Sequence, residues 1–243
     1  MDLQKLRVEV FYPQQIEDSQ LDRYNRLFDL WYQIWVETRR EVNPSLPTPS
    51  DNFSRQDEVI GLFYEDRPIA TICHRYVDLQ QRCIMHDSFF TGLWTDQVKE
   101  SLAQHGRWFV LGSHVFIDPE FRKMASGYPT KNILCQLSFH RLNFANVDGV
   151  IGLMRKDKGM HDVFYKAGAK PLIKDVQFYQ IPVDIVMFHT AKQSILIDAA
   201  DREVIDPIVS QSPNFLNHQY FVQKQMRRNY VETIARSMHA KAG

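Results

Sequence analysis

The spacing of apolar residues divides the first third of the chain into a strand, a long helix and a hairpin. Residues 6–12 alternate as a half-buried strand does, and Pro13 ends them. After a Ser19-x-x-Asp22 capping box, apolar side chains recur every three or four residues, which predicts an amphipathic helix. That stripe comprises Leu21, Tyr24, Phe28, Trp31 and Trp35. It has two interpretations, a helix packed on the core and a wall of a cleft for a greasy substrate. Residues 59–64 and 69–77 predict the hairpin.

A continuous apolar run at residues 108–117 predicts a buried central strand, which Asp118-Pro119 ends. A partly basic loop follows at 121–128, and Pro129 suits the first turn of a helix. The helix places one stripe toward the core, formed by Ile133, Leu137, His140/Arg141 and Phe144. A loop with small residues before a helix N-terminus presents unpaired N–H groups to an anion. This segment therefore predicts an anion site, although an ordinary connection with solvated basic residues would have the same pattern.

The second half of the chain alternates between the two periods. Residues 95–105 predict a short helix closed by Gly106, and 149–154 predict a strand. A helix at 158–167 stops at Gly168, two strands interrupted at Pro182 occupy 174–190, and the chain is helical in character from about residue 195. Strands and helices in this order predict a mixed sheet flanked by helices.

Charge is distributed unevenly along a neutral chain. The 29 basic and 29 acidic residues balance, which argues against a general nucleic-acid binder. Residues 121–174 nevertheless hold ten Lys/Arg and three Asp/Glu. The predicted anion site thus lies in the basic part of the chain, as expected for a phosphorylated ligand or an acidic partner. A solvated helix face would give the same excess.

Length and cysteine usage favour a cytoplasmic protein. The 243 residues can bury one large core, and no apolar run of membrane-spanning length or charged-then-apolar leader is visible. Cys73, Cys83 and Cys135 are odd in number and are expected to be reduced thiols. The pairs Cys73-His74 and Cys83-x-x-His86 are poor zinc ligand sets, because neighbouring strand residues face opposite ways. We expect no metal.

Two motifs resemble the GNAT acyltransferase superfamily. The run Ile117-Asp118-Pro119-Glu120-Phe121-Arg122, followed by Ala125-x-Gly127, is similar to motif A, a V-x-P-x-[YF]-R strand end with an [RQ]-x-x-[GA]-x-[GA] pyrophosphate loop. Downstream, residues 163–169, VFYKAGA, resemble the second motif, which ends in [LF]-Y-x-x-x-G-[FA]. The motifs occur in the expected order, with Ala125 where Gly is usual.

The resemblance implies an α/β (α+β) fold, a GNAT-like mixed central sheet flanked by helices, over residues 1–194. Residues 195–243 would be a helical C-terminal extension packed on that domain. In the superfamily, the central strand diverges from its neighbour and the pantetheine arm of an acyl-thioester lies in the gap. Carried over, the backbone of Val115, Phe116 and Ile117 would pair with the pantetheine. The N–H groups of the loop would hold the pyrophosphate, at Arg122, Lys123, Met124, Ala125, Ser126, Gly127 and Tyr128.

Two side chains are candidates for catalysis. Tyr165 aligns with the family's general-acid tyrosine, and packing at the end of its helix is an equally good interpretation. His114, inside the central strand, either relays a proton from the amine, because an imidazole titrates near neutral pH, or is a satisfied core histidine. The family's helper asparagine, seven residues before the tyrosine, is Lys158 here.

Within the superfamily, the chain resembles the N-acyl amino acid synthase branch, which is related to acyl-homoserine-lactone synthases. Residues 111–114, LGSH, stand where that branch carries E-x-S-[RH], and residues 179–183, YQIPV, resemble its late strand. The resemblance covers about residues 6–190. It implies an N-acyltransferase that moves an acyl chain from acyl-CoA or acyl carrier protein to an amino acid-like amine. A medium or long chain is expected from the apolar surface of Trp31, Trp35, Phe89, Phe90 and Trp94. The missing Glu makes lactone synthesis doubtful. The alternative is a non-catalytic GNAT-like module that binds an acyl-thioester or a protein partner.

The end of the chain is basic. Lys224, Arg227, Arg228 and Arg236 lie at or near helical spacing in the C-terminal extension. An acidic acyl carrier protein is one partner that this segment suits, and a solvated helix face is the other interpretation.

Overall fold

A mixed sheet of seven strands, with the order β1-β2-β3-β4-β5-β7-β6, forms the centre of the protein. The computed structural model describes residues 2–42, 45, 48–91, 94–122, 128–178, 181–212 and 215–216. The strands are β1 (Leu6–Phe11), β2 (Glu58–Tyr64), β3 (Arg67–Asp78), β4 (Trp108–Ile117), β5 (Gly149–Arg155), β6 (Lys170–Phe178) and β7 (Ile181–Phe188). The helices are α1 (Asp18–Val42), α2 (Asp51–Ser54), α3 (Arg82–Met85), α4 (Asp96–Gln104), α5 (Thr130–Leu142), α6 (Met160–Lys166) and α7 (Ala199–Ser210).

One pair of strands, β4 and β5, runs parallel, and the other five pairs are antiparallel. Parallel neighbours need a crossover, and α5 supplies it. The motif-bearing loop therefore leads from the end of β4 into α5. The mixed sheet flanked by helices that the sequence predicted is confirmed.

Helices cover both faces of the sheet. On the α1 face, the core packs around Trp31, Phe53 and Phe116 at one end and around Phe90 and Leu111 at the other. On the α5 face, α5, α6 and α7 bury a second pair of clusters against the sheet. The long helix thus packs on the core, and Trp31 is 1% exposed.

Several predicted boundaries need correction. Helix α5 ends at Leu142, so Phe144 is exposed, and the stripe is completed by buried Arg141. Pro129 occupies the N-cap rather than the first turn. Strand β6 begins at Lys170, and Pro182 is the second residue of β7 rather than an interruption. By contrast, β4 has the predicted bounds, and Gly168 ends α6 with a φ of +98°.

The segment after residue 194 begins with α7, which packs on α5 and β1 and buries Ile205 and Ile208. The proposed boundary at 194/195 stays a prediction. Lys224, Arg227, Arg228 and Arg236 lie outside the described residues. No helix in the described part of the chain is long and apolar enough to cross a membrane.

Candidate functional site

Strands β4 and β5 pair at one end and diverge at the other. Their ladder runs from Phe109–Gly149 to Gly112–Gly152 and stops there. Strand β4 continues to Ile117 and β5 continues to Arg155. Ser113, Phe116 and Ile117 pair with β3, and no described residue of β5 pairs with 113–117. This opening between the strands, which we call the gap, has the form that the sequence motifs implied.

A β-bulge lies just beyond the last β4–β5 pair. His114 has a φ of +52°, and the β3–β4 register shifts between Thr71 and Cys73. Positive φ is strained for a residue other than glycine, and a bulge changes which face the following side chains occupy. Leu111 lies on the α1 face before the bulge, and Phe116 lies there after it. An unbroken strand would have sent residues 111 and 116 to opposite faces.

The bulge sends the imidazole of His114 toward α1. Its ring lies edge-on to two indoles, with centroid distances of 5.8 Å to Trp31 and 5.2 Å to Trp35. Burial among these rings, with smaller contributions from the charges of Arg55 and Arg39, lowers the pKa of His114 to about 3. The imidazole is therefore neutral at neutral pH. The expectation that His114 titrates near neutrality is wrong, because burial disfavours the charged ring.

The hydroxyl of Tyr165 is engaged by a carboxylate. It donates to Asp184 Oδ2 at 2.7 Å, and the other oxygen of Asp184 accepts from the backbone N–H of Asp175 at 2.8 Å. Burial and the neighbouring carboxylate raise the pKa of Tyr165, so the phenol keeps its proton. Asp184 belongs to β7, which pairs with β5 on the side away from β4. The bond thus draws the hydroxyl toward the strand beyond β5.

The predicted phosphate loop is described only at its ends. Lys123, Met124, Ala125, Ser126 and Gly127 lie outside the described residues, while Arg122 is exposed and Tyr128 is partly buried. The hydroxyl of Thr130, the first residue of α5, donates to the backbone carbonyl of Phe121. Both ends of the loop are therefore held beside the N-terminus of a 13-residue helix, where backbone N–H groups and the helix dipole favour an anion.

The sequence pointed to no role for Arg55, which the structure brings close to the gap. Arg55 follows α2, and its guanidinium donates to Ser88 Oγ at 3.0 Å. No motif contains this arginine. Phe53, two residues before it, packs against Trp31 at 5.1 Å between ring centroids, and Trp31 contacts His114. Among the described residues, no group of three or more His, Cys, Asp or Glu has the arrangement of a metal site.

Comparisons with known proteins bear on the fold. No protein-family model matches the sequence, and neither does any curated protein. Among solved structures, FeeM, an N-acyl amino acid synthase from uncultured soil microbes, is 11% identical, with a TM-score of 0.50 over 77% of this chain and 92% of that chain.

Two further structures are of CoA-dependent acyl-homoserine lactone synthases. BjaI, with SAM and isopentyl-CoA, is 15% identical, with a TM-score of 0.52 over 85% of this chain and 89% of that chain. MesI is 10% identical, with a TM-score of 0.54 over 82% of this chain and 95% of that chain. At these identities the likeness shows the fold alone. The chain therefore has the GNAT-like fold of acyl-homoserine lactone and N-acyl amino acid synthases, the branch that its motifs resemble.

Proposed function

We propose that this protein is an N-acyltransferase that moves an acyl chain from an acyl-thioester to the amine of an amino acid-like acceptor. The divergence of β4 and β5 after Gly112 and Gly152 carries the proposal. It leaves the backbone of Val115, Phe116 and Ile117 available to an extended ligand that pairs as a strand would. A pantetheine arm, with its two amides, is such a ligand. The donor is acyl-CoA or an acyl carrier protein, which share this arm.

The phosphate end of the donor would lie on residues 122–128. The N-terminus of α5 supports this assignment, and the side chains of Arg122 and Lys123 add positive charge. The proposed phosphate site comprises all seven loop residues.

The protein contributes to the reaction in three ways. The acceptor amine attacks the thioester carbonyl, the carbon–sulfur bond breaks, the amine's proton passes to solvent water, and the departing thiolate takes a proton from Tyr165, which solvent then replaces. Backbone N–H groups at Phe116 or Ile117, beside the gap, would stabilise the oxyanion. Tyr165 is the proposed donor of the proton to the thiolate. Its phenol is protonated at neutral pH, but the raised pKa makes it a weaker acid, so the transfer requires that the hydroxyl leave Asp184.

His114 fits an orienting role in this reaction. With a pKa of about 3, its neutral ring does not hold the amine's proton at neutral pH. A neutral imidazole does accept a hydrogen bond, so it would align the amine for attack from the α1 face. His114 is therefore proposed to position the acceptor rather than to relay its proton.

The proposed donor carries a medium or long acyl chain. Phe90 and Trp94 pack with Leu111 and partly buried Phe89 and Leu153 on the α1 face, so the part of the core that adjoins the gap is apolar. Each buried methylene adds about 0.8 kcal/mol, roughly fourfold in affinity. Affinity should therefore rise along a series of thioesters from two to sixteen carbons. A flat or falling series contradicts the assignment of chain length.

Substitution of Gly127 tests the donor site. Gly127→Glu introduces bulk and negative charge where phosphate is proposed, so coenzyme A thioesters should no longer bind in titration calorimetry. Ser194→Glu adds the same group at an exposed position between β7 and α7 and serves as the matched control. Unchanged affinity of the Gly127 variant for both coenzyme A thioesters and acyl carrier protein would refute the proposal.

A second candidate is a non-catalytic module that binds an acyl-thioester. The bond between Tyr165 and Asp184 favours it, because this bond engages the hydroxyl that the general-acid role requires to be free for the thiolate. If Tyr165 is the general acid, Tyr165→Phe keeps thioester binding and slows turnover by about 10²–10⁴-fold. If the role is structural, the melting temperature falls and turnover per folded molecule does not change. A wild-type protein that binds thioester and acylates none of the amino acids is a binding module.

A further inference from the structure

Four side-chain nitrogens close to the bulge are buried without a hydrogen-bond partner among the described residues. They are Trp31 Nε1, Trp35 Nε1, Arg55 Nε and His114 Nδ1. Nearly all buried polar groups in native proteins have a partner, because an unpaired buried donor is destabilising. Four such atoms in one region indicate groups that pair with something other than the described chain.

Contacts between rings hold these side chains together. The imidazole of His114 touches both indoles, and Trp31 packs on Phe53 at 5.1 Å between centroids. Arg55 lies two residues after Phe53, and its guanidinium donates a hydrogen bond to Ser88. The four nitrogens thus come from α1, from the residue after α2 and from the bulge of β4. They converge on the α1 face, next to the open end of the gap.

The region is electropositive. No described carboxylate forms an ion pair with Arg55, and the nearby carboxylate of Asp87 is occupied by Arg75 at 2.7 Å and by the N–H of Phe89 at 3.0 Å. The charge of Arg55 disfavours protonation of His114, which places this cation within range of its ring. Indole and guanidinium nitrogens only donate hydrogen bonds. Positive charge with convergent donors suits an anion, and a carboxylate matches a guanidinium best.

We infer that the acceptor carries a carboxylate, which binds the partly exposed Arg55 and the indole N–H of Trp35 beside His114. This inference rests on the proposed function and narrows its acceptor to an amino-acid anion as opposed to a neutral amine. The carboxylate would fix the acceptor on the α1 face, and its amine would then lie against His114 and face the gap. Arg55 is a specificity-determining residue in this arrangement.

The test compares three acceptors that differ only at the carboxylate: the best acceptor among the twenty amino acids, its amide and its decarboxylated amine. Arg55→Gln should raise the Kd and KM of the amino acid about 10- to 100-fold, since a hydrogen bond to a charged group is lost. The same variant should alter the values for the decarboxylated amine less than twofold and leave the KM of the thioester unchanged. Trp35→Phe, which keeps a ring and deletes the N–H, should weaken binding of the amino acid and leave binding of the decarboxylated amine unchanged.

Two further variants keep the test decisive. Arg55→Lys retains the charge and should recover part of the affinity, whereas Arg40→Gln removes an exposed charge from α1 and should change nothing. Equal losses for all three acceptors in Arg55→Gln, or a wild type that prefers the amide, would overturn the inference. Acceptor binding is measured by calorimetry without thioester. A protein that binds the amino-acid anion and no thioester would therefore refute the proposed function and leave the anion site standing.

Discussion

Two histidines lie on adjacent strands of the sheet, His74 fully buried and His114 partly buried, and their surroundings are opposite. On the α5 face, His74 of β3 has partners at both nitrogens, with Nε2 2.8 Å from Ser138 Oγ and Nδ1 3.4 Å from Glu58 Oε2. On the α1 face, His114 of β4 has an unpartnered Nδ1 within the described residues and sits at positive φ. One histidine completes a satisfied network, and the other terminates a strained bulge.

The network around His74 resembles catalytic machinery in composition only. A serine, a histidine and an acid in hydrogen-bonding sequence are the parts of an acyl-transfer triad. Here Glu58, His74, Ser138 and Arg141 are each at most 1% exposed, so a substrate has no access to the serine. Arg141 donates to both oxygens of Glu58, at 2.9 and 2.7 Å, and to the backbone carbonyl of Phe215. The group joins β2, β3, α5 and the segment after α7.

The contrast separates structural from functional polar groups. A network in which each member has a partner fixes the packing of elements, because the same atoms left unpaired would be costly. Unpaired nitrogens and a strained backbone are found where a ligand supplies the hydrogen-bond partners that the chain does not provide. The partners of their nitrogens distinguish the two histidines, and so does exposure, since His74 is fully buried and His114 is partly exposed.

The largest effect should come from breaking the Glu58–Arg141 pair. Arg141→Ala leaves a buried carboxylate without its partner, so unfolding free energy should fall by about 3–5 kcal/mol in urea titrations. The double variant Glu58→Leu/Arg141→Met, which removes both charges and keeps volume, should recover most of this loss. A loss below about 1 kcal/mol for Arg141→Ala would show that the network is not structural.

The second largest effect should be a loss of stability in acid, which arises from protonation of His114. Its folded pKa of about 3 lies below the ordinary value of 6.5, so the unfolded chain binds more protons between these values. Stability is therefore lost as pH falls below about 6.5, by at most about 1.4 kcal/mol per pH unit from this group.

His114→Gln removes that contribution. The stability of the wild type relative to this variant should decrease by about 2–3 kcal/mol from pH 6 to pH 4. Glu58, whose pKa is lowered chiefly by Arg141 against the effect of burial, also destabilises the protein in acid, but it does so in both proteins and cancels. A constant difference across this range would contradict burial of a neutral His114.

Much of the fold was predictable because it depends on local patterns. The bounds of β4 follow from a continuous apolar run that Pro119 closes, and the end of α6 follows from Gly168 at positive φ. The gap was predictable only from the motif at 117–127, which resembles that of a family in which the central strand diverges from its neighbour. The pattern of apolar residues in 108–117 and 149–154 does not predict that the pairing of these two strands stops at Gly112 and Gly152.

The chemistry of the site was less predictable because it depends on tertiary contacts. A histidine with φ > 0 in the middle of an apolar strand leaves no mark in the sequence, so the face and pKa of His114 could not be derived. Likewise, Arg55 reaches the site through Phe53 and Trp31, which are distant in sequence from β4. The predicted core-facing stripe of α5 correctly included Arg141. Its buried partner Glu58 lies 83 residues away in sequence, so the pair could not be predicted.

Removal of the serine from the satisfied network should have a moderate effect. Ser138→Ala leaves His74 Nε2 buried without its partner, which should cost about 1–3 kcal/mol of unfolding free energy. Turnover per folded molecule should not change, because the hydroxyl has no access to substrate. A selective loss of turnover at unchanged stability would instead assign Ser138 to catalysis and remove the contrast between the two histidines.

The smallest effect should come from His114→Asn, although it lies at the proposed site. Asparagine tolerates positive φ, and the substitution also removes a buried nitrogen that has no described partner, so unfolding free energy should change by less than about 1 kcal/mol. His114→Val is the matched control, because a β-branched residue is strained at φ +52° and should cost about 1–3 kcal/mol more. Both variants should raise the acceptor KM, since neither keeps an imidazole beside Trp35. Equal stabilities of the two variants would show that the bulge relaxes when the imidazole is removed, and that the strain belongs to His114 rather than to the strand.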